Sequence, residues 1–135
     1  EIDDNFDKSG RWQKYTVTHT ELQTATTSVN IELFAARTKE VIHSAYLKHS
    51  AAFTGTAITA YTISLGIASD LAYYTTPFDV YQAPTSTAGE FVAVNAIHNP
   101  DTTTSVKISA IATGANLSAS LAGTIDIWIF KSVLP

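Results

Sequence analysis

The 135-residue chain contains no cysteine. Disulfides and thiolate metal sites are thereby excluded, and stability has to come from packing or from assembly with other chains. Charge is scarce too: 15% of residues are Asp, Glu, Lys or Arg, and the formal net charge is -4. With only 8 Lys and Arg, the chain lacks the basic face that nucleic-acid binding requires. Mild acidity supports solubility and names no partner. No apolar run approaches the length of a transmembrane span, and no signal-peptide pattern opens the chain, so no membrane partner is expected. Because the first residue is Glu1 rather than Met, a start residue or longer leader is expected to be missing or removed. Sustained helical periodicity is missing as well. What is present is a Thr-, Ser- and Ala-rich sequence of single-domain size, long enough to bury a core.

The final strand organises the reading. In Gly123–Val133, Ile125, Ile127, Ile129 and Val133 alternate with Asp126, Trp128, Phe130 and Ser132. A period of two places each set on one face of a strand. The odd face is β-branched and suits a packed interior. The even face carries Trp128 and Phe130, so it is expected to meet something other than solvent. This pattern predicts a central strand of a sandwich. Strand patterns also cover Trp12–Thr20, Ser28–Ala35, Glu40–His49, Ala57–Ile67, Glu90–His98 and Thr104–Ala112. Small residues on one side of the fourth of these stretches (Ala60, Thr62, Ser64, Gly66) allow another backbone to approach. Leu71–Pro84 contains Pro77 and Pro84, which argues against a regular central strand. It is read as a long ordered connection with a short strand at Phe78–Tyr81. Thr113–Gly123 is a loop with a helical turn around Leu117–Leu121. About eight strands between turn signals predict an all-β fold, a jelly-roll-like antiparallel β-sandwich over residues 11–135. Residues 1–10 form an acidic N-terminal arm, read either as a frayed tail or as a docking arm anchored by Phe6.

Residues that could carry chemistry give weak signals. His19, His43, His49 and His98 have no paired metal-ligand spacing; His43 is read as a core or interface histidine and His49 as solvated. Asp79 and Asp126 sit among aromatics, but turn hydrogen bonding explains Asp79, and pairing with Lys14 or Lys107 explains Asp126. No nucleophile elbow or phosphate-binding loop is present. The reading is non-enzymatic, without cofactor or metal. Tyr73, Tyr74, Phe78 and Tyr81 admit three readings: a protein interface, a platform that stacks on sugars, or a cap on the sandwich end.

Three segments in order carry a resemblance: Val41–Gly55 (VIHSAYLKHSAAFTG), Ala60–Ile67 (AYTISLGI) and Ala112–Ile129 (ATGANLSASLAGTIDIWI). Over residues 16–128 the chain resembles small tailed-bacteriophage virion proteins, some of which look like jelly-roll capsid decoration (cement) or head-fibre proteins. The resemblance implies a homotrimeric β-sandwich on the capsid exterior, partnered by the major capsid protein. It identifies no binding residues. With the residue pattern, it leads to an expected structural protein that binds and stabilises the outer shell. Phe6, Tyr73, Tyr74, Phe78, Tyr81, Trp128 and Phe130 are the expected interface residues. The alternative is a carbohydrate- or receptor-binding domain of a tail or head fibre, with a glycan as partner.

Overall fold

The computed structural model describes residues 10–37, 39–93 and 104–133. Eight strands follow one another: β1 (Arg11–Thr18), β2 (Ser28–Ala36), β3 (Glu40–Gly55), β4 (Ala60–Ile67), β5 (Asp70–Asp79), β6 (Glu90–Ala93), β7 (Thr104–Thr113) and β8 (Ser120–Val133). Short 3-10 turns at His19–Leu22 and Leu117–Ala119 lead out of β1 and into β8. Two four-stranded antiparallel sheets form, in the orders β1-β8-β3-β6 and β2-β7-β4-β5. Apart from the β4–β5 hairpin, successive strands alternate between sheets in the jelly-roll manner, so the fold read from the sequence is the fold observed.

The final strand is central, paired to β1 on one side and β3 on the other. Its Ile125, Ile127 and Ile129 are fully buried. In register with them stand Val17 of β1 and Ala45 and Leu47 of β3. Ile63 and Leu65 of β4 and Ile108 and Ala110 of β7 complete the core from the facing sheet. Each Val, Leu or Ile among them contributes about 1.5–3 kcal/mol when fully buried. Val133 departs from the expected odd-face pattern and is exposed at the strand's end.

The small side of β4 receives the backbone it was expected to admit. A Cβ at Gly66 would lie 2.3 Å from the Asp70 carbonyl oxygen, and the Ser64 hydroxyl donates to the Leu71 carbonyl at 2.9 Å. The start of β5 therefore folds tightly against β4.

Two corrections concern strands. Asp70–Asp79 is a strand rather than a connection. Pro77 is tolerated because β5 is the sheet's edge, where a missing N–H leaves no ladder bond unmade. The pairing with β4 slips on both sides of Leu65, and the Thr75 hydroxyl accepts the Leu65 N–H at 2.9 Å. The other correction concerns β3, whose pairing with β8 shifts between Ile42 and Ser44. A bulge inverts the alternation there. Ile42 is buried and His43 is exposed, whereas His49 is fully buried. His43, expected in the core or at an interface, stands on the outer face, and His49, expected to be solvated, is a core residue.

Past β5, the Val80 N–H donates to the Tyr61 carbonyl of β4 at 3.1 Å, and its own carbonyl accepts from the Phe53 N–H of β3 at 2.9 Å. One residue thereby ties the two sheets together at that end.

Candidate interaction face

Because side chains alternate, the strands that bury isoleucines inward present their even positions outward. Strand register then lines up one residue from each strand: Lys14 of β1, Trp128 of β8, Tyr46 of β3 and Phe91 of β6. The adjacent row contains Trp12, Phe130, Ser44 and Ala93. The small residues of that second row leave room for the Trp12 indole to lean across the sheet. Its ring lies 5.3 Å from Phe130 and 6.4 Å from Phe91, which belongs to the opposite edge strand. Tyr46 and Trp128 stand 5.6 Å apart beneath them. The four rings of Trp12, Tyr46, Phe91 and Trp128 line an open cleft of about 320 Å³.

The rings are held in place from below and beside. A Cβ at Gly89 would lie 2.9 Å from the Tyr46 hydroxyl, so the backbone entering β6 supports that ring closely. The Lys48 amine fixes the preceding turn by donating to the carbonyls of Thr85 and Ala88. At the other rim, the Lys14 amine lies 5.5 Å from the Trp128 ring centre and 3.9 Å from the Asp126 carboxylate. Asp126 also accepts from the Thr16 hydroxyl at 2.8 Å. The His43 ring packs 5.5 Å from Phe130, with its Nε2 2.6 Å from the Ser132 hydroxyl. Phe91 is 62% exposed and Trp12 is 47% exposed. Two large rings left this open beside three others make a continuous apolar patch, the kind of surface that marks an interaction site.

The residues expected at an interface divide. Trp128 and Phe130 lie on this outer face, as their alternation indicated. Tyr73 and Tyr81 are exposed, but they sit on and just after β5, in the other sheet. Tyr74 and Phe78 are core residues, 3% and 7% exposed. The edge strand turns them inward, where the Phe78 ring meets His49 edge-on at 5.5 Å. Burial pushes the Tyr74 hydroxyl's pKa well above the usual tyrosine range. The four aromatics of that segment therefore do not share a surface. Phe6 falls outside the described residues. Trp12, Tyr46 and Phe91 join the face without having been singled out. Their positions in sequence are unrelated, and only the strand register brings them together.

The acidic candidates have structural partners. Asp79 accepts the backbone N–H groups of Tyr81 and Gln82 at 2.9 and 3.3 Å, a turn role. Asp126 pairs with Lys14, while Lys107 lies in the other sheet. Among the described residues no three His, Asp or Glu side chains gather as metal ligands. The buried His49 ring places its Nε2 2.8 Å from the Gln82 carbonyl.

No protein-family model matches the chain, and no curated protein matches it in sequence. Solved structures do. A chain of the cyanophage Pam1 capsid asymmetric unit superposes with a TM-score of 0.68 at 18% identity, covering 96% of this chain and 88% of that one. The Ralstonia phage GP4 capsid contains a chain similar at TM-score 0.54 and 18% identity, with coverage of 93% and 85%. In the acid-stable capsid of Helicobacter pylori bacteriophage KHP30, a chain matches at 0.51 and 12% identity, with coverage of 92% and 93%. At these identities the likeness is one of fold, and it extends over nearly the whole chain: this jelly roll is a fold found in phage capsids.

Proposed function

We propose that this chain is a structural protein of a phage virion, of the decoration type, located on the capsid exterior with the major capsid protein as its partner. The observation that carries the reading is the exposed aromatic face of the β1-β8-β3-β6 sheet, on a fold shared with capsid chains. Large aromatic rings bury roughly 150–250 Å² each and lose little entropy on docking. Their gross gain at about 25 cal/mol per Å² is offset in large part by the cost of association. A single contact of this size is therefore weak. A homotrimer engaging the shell at three points would gain avidity far beyond one contact. In this reading the acidic residues 1–10, with Phe6, supply a second contact. The test is occupancy on purified shells, paired with solution mass by light scattering. Trp12→Ala and Phe91→Ala should each lower occupancy; full occupancy with both replaced would remove the assignment of this face.

One observation favours a second reading, a carbohydrate- or receptor-binding domain of a fibre. The cleft between Trp12, Tyr46, Phe91 and Trp128 is open, and Lys14 and Asp126 stand at its rim. Rings of this kind stack on sugar faces, and rim charges can accept and donate hydrogen bonds. Saturable glycan binding that disappears with Trp12→Ala, without binding to shells, would favour it.

A further inference from the structure

A second concavity lies at the end of the sandwich where β1 begins. It has a volume of about 460 Å³ and is lined by Arg11, Gln13, Arg37, Glu40 and Lys131, with Tyr15 and Phe34 as its aromatic wall. Tyr15 and Phe34 are stacked, 5.1 Å apart and 8° from parallel. The Lys131 side chain lies against them with its amine 3.9 Å from the Phe34 ring centre, donating to the Tyr15 hydroxyl at 2.9 Å.

Charge in this concavity is unbalanced. Three cations, Arg11, Arg37 and Lys131, face one carboxylate, Glu40. Glu40 is already engaged: its Oε1 accepts the Arg37 backbone N–H at 3.0 Å, and its Oε2 lies 3.9 Å from the Lys131 amine. Neither guanidinium has an ion-pair partner among the described residues. Only 12% of the Lys131 side chain is exposed. Burial lowers its pKa, Glu40 opposes that shift, and Arg11 and Arg37 add to it. In a chain of net charge -4, this end carries a local positive excess.

We propose that this concavity is a carboxylate-binding site that receives Asp or Glu side chains of an acidic peptide segment. Guanidinium groups take carboxylates through paired, planar hydrogen bonds, and the Gln13 amide adds a neutral donor. The stacked rings give the ligand's aliphatic stem an apolar wall. Two sources have this chemistry. Glu1, Asp3, Asp4 and Asp7 open the chain, and the chain enters the fold beside this concavity, since Gly10 directly precedes its lining residue Arg11. The same chemistry could come from an acidic segment of another molecule. The site stands independently of the virion reading.

The test uses nitrogen-labelled full-length protein and a full-length variant with Glu1→Gln, Asp3→Asn, Asp4→Asn and Asp7→Asn. A capped synthetic peptide of residues 1–7 is titrated into each, and the Arg11 and Arg37 Nε–H and Gln13 amide signals are followed. Saturable shifts in both proteins support a site filled by another molecule. Shifts only in the neutralised variant support a site filled by the chain's own leader. Arg37→Gln, an exposed change that leaves the core intact, should weaken the peptide about tenfold. The proposal is overturned if neither protein responds, if the Asn/Gln analogue of the peptide shifts the same signals, or if inorganic phosphate binds more tightly than the peptide.

Discussion

Phe53 lies directly over Gly123, so that a Cβ at position 123 would fall 2.4 Å from the Phe53 ring. Gly123 also has φ +146°, a conformation that side chains resist. Phe53 is itself fully buried and packs 4.9 Å from Tyr61, so it has little room to move. Gly123→Ala is expected to destabilise by about 3 kcal/mol, the upper part of the overpacking range. In thermal melts this appears as a fall in Tm of roughly 10 °C. Phe53→Leu in the same background should recover part of the loss, because it removes the atoms that clash.

Thr75 supplies the acceptor that the slipped β4–β5 ladder lacks. Thr75→Val keeps the shape but leaves the buried Leu65 N–H without its partner, at a cost of about 1–3 kcal/mol. Thr75→Ser retains the hydroxyl and should be closer to the native stability. Denaturant midpoints of the two variants, compared at equal m-value, decide the point.

Alkaline pH should unfold this protein together with the ionisation of particular tyrosines. Burial raises the Tyr61 and Tyr74 pKa values, and burial followed by the Glu40 charge pushes Tyr15 up to about 12. Each group has a folded pKa above its unfolded value near 10. Its contribution to stability is thus complete below pH 10 and is lost as pH rises through the folded value. Lys131 has the opposite sign. Its lowered pKa makes stability rise with pH between its folded value and the unfolded value near 10.5. Above pH 10 the three tyrosines outweigh the one lysine. Tyrosinate absorbance at 295 nm should therefore include a cooperative step that coincides with loss of the β-sheet circular dichroism.

The aromatic face should report on its own exposure. Trp12 is open and Trp128 lies beneath neighbouring rings, so acrylamide should quench Trp12 first. In Trp12→Phe the remaining emission should be less accessible to quencher. Trp12→Ala and Phe91→Ala remove largely exposed rings and should each change stability by about 0.5 kcal/mol or less. A loss of shell binding in these variants would then reflect the surface rather than the fold.

The sequence made β8 legible because nothing interrupts its alternation, and its neighbours could be inferred from the same period of two. The aromatic patch was half legible. Trp128 and Phe130 share a strand, whereas Trp12, Tyr46 and Phe91 meet them through pairings that no local pattern encodes. β5 was misread because Pro77 excludes a central strand and does not exclude an edge. The same reading places Tyr74 and Phe78 at the surface, since a connection that is not paired into a sheet along its length has no alternating inward face. The bulge between Ile42 and Ser44 turns His43 outward, whereas His49 stays on the inward face with Ala45 and Leu47 because β3 continues to Gly55 instead of ending at that residue.

The row of Lys14, Tyr46, Phe91 and Trp128 takes one position from each strand of its sheet, and on the two central strands the inward neighbours Ala45, Leu47, Ile127 and Ile129 belong to the core. Each of these four codons can change without disturbing the isoleucine layer beneath. Specificity for a partner and stability of the fold are thus written at alternate positions of the same strands. A lineage could exchange the partner by altering the outward letters while conserving the inward ones, so relatives that share this scaffold need not share the surface it displays.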